Sequence, residues 1–102
     1  DGEATNSCVR AASEFRENEI ITIEGLSKDG NLNSVQQAFI EEGAAQCGYC
    51  TSGIVVATTA LFKQNAKPSR EAVHAALHDH LCRCGSHRRI LNAIERLISD
   101  GM

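Results

Sequence analysis

The sequence predicts a mainly α-helical domain, a bundle of four helices, with a short β segment in front of it. From residue 34 onward, apolar side chains recur every three or four positions, which is the spacing of one face of an α-helix. Earlier in the chain, residues 19–24 run through isoleucines and a threonine, which is typical of a strand. We therefore expect a short β-strand over residues 19–24, within a segment of residues 1–26 that looks like the tail end of a β-containing domain, and a four-helix domain over residues 27–102.

The first two helices are marked by their end signals. One is expected over residues 34–42, with Asn33 as its N-cap and Gly43 as its stop. The next is expected over about residues 51–65. It is apolar on nearly every side, a pattern that predicts burial at the centre of a bundle.

The third and fourth predicted helices flank a pair of cysteines, Cys82 and Cys84. Pro68 and Ser69 open the third helix, which is expected to run up to that pair, and the fourth is expected to start near Ser86. The inward-facing positions are expected to be Val73, Ala76, Leu77 and Leu81 in the third helix, and Ile90, Ile94, Leu97 and Ile98 in the fourth. Short connections between four such helices favour a small bundle.

Composition and charge exclude several classes of function. The chain has 102 residues, enough for one small domain, and its 42% apolar residues can form a core. Its net charge is −3 and no basic run is interleaved with aromatic residues, so nucleic acid is not an expected partner. No apolar stretch approaches the roughly 20 residues of a membrane-spanning helix. The chain begins at Asp1 rather than Met, which indicates a processed chain or a piece of a longer one.

Four of the five cysteines form two tight pairs, Cys47 with Cys50 and Cys82 with Cys84. A disulfide framework is disfavoured, because the number of cysteines is odd and neighbours at C-x-C spacing pair badly. Two pairs brought together make a tetrahedral four-thiolate site, which suits either zinc or an iron–sulfur cluster. A zinc site would make the chain a metal-stabilised interaction module, and a cluster would make it an electron carrier. Spacing alone leaves both open.

Several stretches around these cysteines resemble a known family. Residues 43–53 and 81–90 closely resemble the iron–sulfur subunit of molybdenum hydroxylases, the family of xanthine oxidase and aldehyde oxidoreductase. Residues 35–43 and 23–26 are similar to it as well. The resemblance covers about residues 5–98 and favours the iron–sulfur cluster over zinc.

The resemblance implies a cluster ligand set and an electron path. In this family a plant-type ferredoxin domain precedes a four-helix domain, and each holds a [2Fe–2S] cluster. Cys47, Cys50, Cys82 and Cys84 would then ligate the helical-domain cluster. That cluster would receive electrons from the molybdenum centre and pass them to the second cluster, and then to a flavin or haem acceptor.

Three further assignments are implied by the resemblance. Gln46 and Cys84 occupy the positions that lie against the molybdopterin cofactor in the family. Cys8 matches the fourth ligand of the ferredoxin-type cluster. The other three ligands would lie upstream in a C-x4-C-x2-C run that this sequence does not contain. Residues 1–26 would then be the C-terminal remnant of the ferredoxin-like domain and a linker.

The resemblance also implies partners and a role. The chain would be the non-catalytic electron-transfer subunit, or a fragment of it, of an oxidoreductase that hydroxylates an aldehyde or an N-heteroaromatic compound. Its expected partners are a large molybdopterin-binding subunit, the missing ferredoxin segment, and a flavin or cytochrome subunit. Ligating thiolates need reducing conditions during assembly, which favours the cytoplasm, although a folded complex could be exported to the periplasm afterwards.

Four side chains near the cysteines have simpler expected roles. His74 and His78 lie four apart on one helix face and are expected to be solvated, because no third ligand converges with them. His80 lies nearer the apolar stripe and is expected to be a structural histidine. Tyr49, inside the first cysteine pair, is expected to shield the metal site from water.

Overall fold

A computed structural model describes residues 2–65, 67–78, 80–82 and 85–99 of the chain. Within these residues four α-helices follow three short 3₁₀ turns. The helices are α1 (Ser34–Glu41), α2 (Thr51–Gln64), α3 (Arg70–Ala76) and α4 (His87–Ser99). The predicted mainly helical architecture with four helices is therefore confirmed.

Both ends of α1 are set by local hydrogen bonds. The side chain of Asn33 accepts from the N–H of Gln36 at 2.8 Å, and the side chain of Gln36 accepts from the N–H of Asn33 at 2.8 Å. This reciprocal pair is a capping box. At the other end Gly43 has a φ of 60°, and the next N–H, that of Ala44, donates to Phe39 at 2.9 Å. A left-handed residue in this position favours glycine and ends the helix.

The core forms where the helices meet. Helix α1 packs against α4 and α2, and α3 packs against α2. The buried apolar side chains are Val35, Ala38, Phe39, Ala44, Ile54, Val55, Phe62, Val73, Ile90, Ala93, Ile94 and Leu97. At the edge of this core, Arg96 of α4 forms ion pairs with Glu41 and Glu42, which tie α4 to the end of α1.

Helix α3 is shorter than the sequence predicts. Ser69 caps its start by accepting from the N–H of Ala72 at 3.1 Å, but the helix ends at Ala76. The expectation that it continues to the second cysteine pair with Leu81 facing inward is wrong, because Leu81 is 73% exposed. Beyond the end of α3, His80 lies against Gly53 in the first turn of α2.

The β segment predicted over residues 19–24 is not seen in the described part of the chain. Residues 19–22 adopt no regular structure, and Ile23–Leu26 forms a 3₁₀ turn. A strand needs a partner strand for its hydrogen bonds, and the β-bridge here joins only Lys28 to Asn31. Ile23 and Leu26 instead pack against the helical core.

None of the helices in the described ranges combines the length and the apolar character that are needed to cross a membrane.

Candidate metal centre

The first cysteine pair lies at the start of α2. Cys50 is the N-cap residue of this helix and is half-buried, whereas Cys47 lies in the preceding loop and is exposed. Gly48 between them has a φ of 85°, a left-handed conformation that side chains other than glycine rarely adopt. This conformation turns the chain between the two thiols, so that the pair ends at the N-cap of the helix.

The second pair lies just before α4. Cys82 is 6% exposed, and its sulfur, carbonyl oxygen and N–H all contact the residues that follow it. Its Sγ accepts from the N–H of Ser86 at 3.4 Å, and its carbonyl oxygen accepts from the N–H of Gly85 at 3.3 Å. Its N–H donates to Nε2 of His87 at 3.2 Å. Three hydrogen bonds therefore join Cys82 to Gly85, Ser86 and His87.

The fold brings one cysteine of each pair into contact. The thiols of Cys50 and Cys82 form a hydrogen bond. Burial raises the pKa of the Cys50 thiol above its ordinary value, and the hydrogen bond and charge of Cys82 raise it further. In the absence of a metal this thiol therefore stays protonated at neutral pH, and a metal that binds here must displace its proton.

The contact between His80 and Gly53 brings the two cysteine segments close together. The first turn of α2 contains Gly53, and a Cβ atom placed there would lie 3.1 Å from Nδ1 of His80. The absence of a side chain at Gly53 lets the half-buried imidazole approach the helix. His80 is thus a packed structural residue, as predicted from its position.

The other predicted site residues are either exposed or outside the described part of the chain. Cys47 and Gln46 are exposed in the loop before α2, and Cys8 is exposed in the 3₁₀ turn Ser7–Val9. Cys84 lies outside the described residues. Among the residues that the structure describes, no three His, Cys, Asp or Glu side chains converge to hold a metal ion. The complete ligand set therefore stays a prediction.

The neighbouring side chains of Tyr49, His74 and His78 are all exposed. Tyr49 is 94% exposed, so the expectation that its ring shields the site from water is wrong for this chain by itself. His74 and His78 are both exposed on α3 and just after it, which confirms that they belong to a solvated face.

Three residues that contact the cysteine segments were not predicted as site residues from the sequence: Gly53, Ser86 and His87. For Gly53 a signal existed, because a glycine within an apolar helix costs about 1 kcal/mol relative to alanine and often marks a close approach. For Ser86 and His87 no spacing rule points back to Cys82.

Comparison with known proteins identifies the domain. Residues 22–95 match the [2Fe-2S] binding domain family. The nicotinate dehydrogenase small FeS subunit of Eubacterium barkeri is 38% identical over 92% of this chain and 60% of that protein. The xanthine dehydrogenase iron-sulfur-binding subunit of Escherichia coli O157:H7 is 42% identical over 92% of this chain and 60% of that protein.

A solved structure agrees with these matches. The structure of quinoline 2-oxidoreductase from Pseudomonas putida 86 superposes with a TM-score of 0.86 and 34% identity, covering 98% of this chain and 62% of that chain. The chain therefore spans less than two thirds of the length of these relatives. On the match to residues 22–95, the chain belongs to the [2Fe-2S] binding domain family.

Proposed function

We propose that this chain binds a [2Fe–2S] cluster through Cys47, Cys50, Cys82 and Cys84, and that it transfers electrons within a molybdopterin-dependent hydroxylase. The observation that carries this proposal is the contact between the thiols of Cys50 and Cys82, inside a domain of the [2Fe-2S] binding family. Two thiols that are distant in the sequence meet within one small bundle. Each belongs to a pair whose second cysteine is a further ligand candidate.

The chemistry of the donors fits such a cluster. Cysteine thiolates are the usual ligands of [2Fe–2S] clusters. The Ser86 N–H already donates to the Cys82 sulfur, and this bond favours the thiolate form. The hydroxyl of Ser86 is buried and has no hydrogen-bond partner among the residues that the structure describes. A sulfur atom of a bound cluster near Cys82 would be a suitable acceptor for it.

Burial around the site supports a choice of the face that meets the partner subunit. The cluster would supply a centre that accepts and releases single electrons. Cys82 is buried against the bundle, whereas Cys47 and Gln46 lie at the surface. We expect the exposed side to face the molybdopterin-binding subunit, with Gln46 and Cys84 nearest to the cofactor. Two exposed apolar side chains beside the ligands, Tyr49 and Leu81, would contribute to that interface.

The N-terminal segment has a separate proposed role. Cys8 is exposed and forms no disulfide among the described residues, so it could complete a second cluster with ligands from a ferredoxin-type segment. Residues 1–26 would then belong to that domain, and residues 27–102 to the helical domain. A flavin or cytochrome subunit would accept the electrons, and assembly in the reducing cytoplasm would keep the thiols available.

The names of the relatives support a substrate class for the whole enzyme. They refer to nicotinate, xanthine and quinoline, which are N-heteroaromatic compounds. We propose that the holoenzyme hydroxylates a compound of this class with oxygen from water. The described residues supply no nucleophile paired with a base, so the chain would contribute electron transfer and no bond-making step.

The decisive experiment measures iron, zinc and acid-labile sulfide, together with the EPR spectrum of the dithionite-reduced protein. We expect a [2Fe–2S] content of two irons and two sulfides per chain, with one reducible signal. About four irons would show that the ferredoxin-type ligands are supplied as well. One zinc without sulfide would contradict the proposal and leave a structural metal site.

A further inference from the structure

His87, the first residue of α4, contacts the cysteine loop that precedes it. Its Nε2 atom accepts a hydrogen bond from the backbone N–H of Cys82 at 3.2 Å, across five positions of sequence. Cys82 is buried, whereas the His87 residue is exposed. A surface imidazole thus holds the main chain of a buried ligand candidate.

In this bond Nε2 of His87 is the acceptor. A ring nitrogen accepts a hydrogen bond through its lone pair, so the His87 side chain offers an acceptor to the backbone of Cys82. It acts on Cys82 through the backbone and is not itself a ligand.

The bond also keeps one N–H group, that of Cys82, from donating to sulfur. The Ser86 N–H donates to the Cys82 sulfur at 3.4 Å, and bonds of this kind help to set the potential of an iron–sulfur centre. The Cys82 N–H, in contrast, donates to the His87 ring. While it does so, it is directed to a nitrogen acceptor and does not add a further donor to the sulfur atoms.

We propose that His87 is a positioning residue for the iron–sulfur centre. It holds the Cys82 N–H, orients the Cys82 thiolate, and limits the number of N–H groups that donate to cluster sulfur. This inference rests on the proposed function, because it assigns a role to His87 only if Cys82 ligates a cluster.

Three variants of the full chain test the role. His87→Leu removes the acceptor and keeps a side chain of similar bulk, whereas His87→Gln retains an acceptor in the form of an amide oxygen. His74→Leu is the matched control, since His74 is also exposed but lies on α3. For each protein we would measure iron and sulfide content, the midpoint potential, the EPR g values, and backbone hydrogen exchange in the peptide that contains Cys82.

The expected results distinguish the loss of the hydrogen-bond acceptor of His87 from a change in the packing of its side chain. In His87→Leu, exchange at the Cys82 amide should accelerate roughly two- to tenfold, as expected for the loss of one hydrogen bond. The midpoint potential should rise, because the released N–H and water can approach the sulfur atoms and stabilise the reduced cluster. In His87→Gln both values should return towards those of the wild type, and His74→Leu should change neither.

Several results would overturn the assignment. Equal potentials and exchange rates in the wild type and His87→Leu would do so, as would a His87→Gln variant that behaves like His87→Leu. If His87→Leu does not fold, the comparison of His87→Gln with the wild type decides, and failure of His87→Gln as well would overturn the role. A wild-type chain without iron or sulfide would instead overturn the proposed function, and with it this inference.

Discussion

The N-terminal segment, residues 2–26, and the helical region, residues 34–99, contain the same kinds of apolar side chain. The two regions differ in how deeply these side chains are buried. Ile20 is 68% exposed, whereas Ile94 of α4 is 1% exposed. None of the residues in the three 3₁₀ turns is buried, whereas each of the four helices contributes to the core. Hydrophobicity alone therefore does not place a residue inside. Burial needs a neighbouring element with a matching apolar face.

The same contrast holds for the cysteines. Cys8, in the N-terminal segment, is exposed, whereas Cys82 is fixed by three hydrogen bonds and contacts Cys50. Cys50 and Cys82 are positioned by α2 and α4, which are anchored in the core. The packing of the helical region thus brings two ligand candidates together, Cys50 and Cys82.

The largest effect should come from exchanging single thiols in the two regions. Cys50→Ser and Cys82→Ser should abolish most of the cluster, because a hydroxyl is a poor substitute for a thiolate as an iron ligand. Cys8→Ser should retain the iron and sulfide of the wild type. Metal and sulfide analysis of the purified variants checks this, and a Cys82→Ser variant with full iron content would contradict the assignment of the site.

Truncation of one isoleucine in each region should lower the free energy of unfolding by different amounts. Ile94→Ala should lower the free energy of unfolding by about 2–5 kcal/mol, as expected when a fully buried aliphatic side chain leaves a cavity. Ile20→Ala should change it by no more than about 0.5 kcal/mol, since exposed substitutions seldom do more. Denaturant unfolding measures both, and a similar loss in the two variants would show that the N-terminal segment is also packed.

Two glycines give a finer test of the same contrast. Gly53→Ala places a Cβ atom 3.1 Å from Nδ1 of His80, within the packed cysteine region. Gly25→Ala places one 3.2 Å from Cγ2 of Ile21, the end of an exposed side chain that can move. We expect Gly53→Ala to destabilise the chain by about 1–3 kcal/mol despite the better helix propensity of alanine.

The control for this prediction is the Gly25→Ala variant, which should stay within about 0.5 kcal/mol of the wild type. Thermal or denaturant unfolding of both variants provides the comparison. If Gly53→Ala were the more stable of the two, the approach of His80 to α2 would not hold the cysteine segments together.

The smallest expected effect is a pH dependence of the cluster-free chain. Burial and the contact with Cys82 raise the pKa of Cys50 above the ordinary thiol value of 9.0. The folded state therefore binds this proton more tightly than the unfolded state, and the resulting stability is present below pH 9.0 and is lost as the pH rises through the raised pKa. Unfolding midpoints measured from about pH 8 to about pH 11 should fall more steeply for the wild type than for Cys50→Ala.

Comparison with Cys50→Ala isolates this thiol from the other groups that titrate in the same range. Parallel pH profiles for the two proteins would mean that Cys50 is not perturbed by its surroundings. In that case the contact between the two cysteine pairs would be looser than the structure describes.

Helix ends and ligand candidates could be predicted because their causes are local. The capping box between Asn33 and Gln36 and the left-handed Gly43 depend on residues within a few positions of each other. The isoleucines of α4 follow the period of a single helix. Predictions failed where the cause was distant. The strand over residues 19–24 lacks a partner strand, and Leu81 is exposed because α3 ends early.

The positions of the four helices, the two cysteine pairs and the family therefore follow from the residue order, because caps, stop residues and ligand spacing act over a few positions. The contact of Cys50 with Cys82 and the approach of His80 to Gly53 were decided by the tertiary structure, because each joins residues that are distant in the sequence. Both depend on how the helices pack against one another, and no single stretch of residues encodes that packing. The bond from Cys82 to His87 spans five positions, but no spacing rule predicts it.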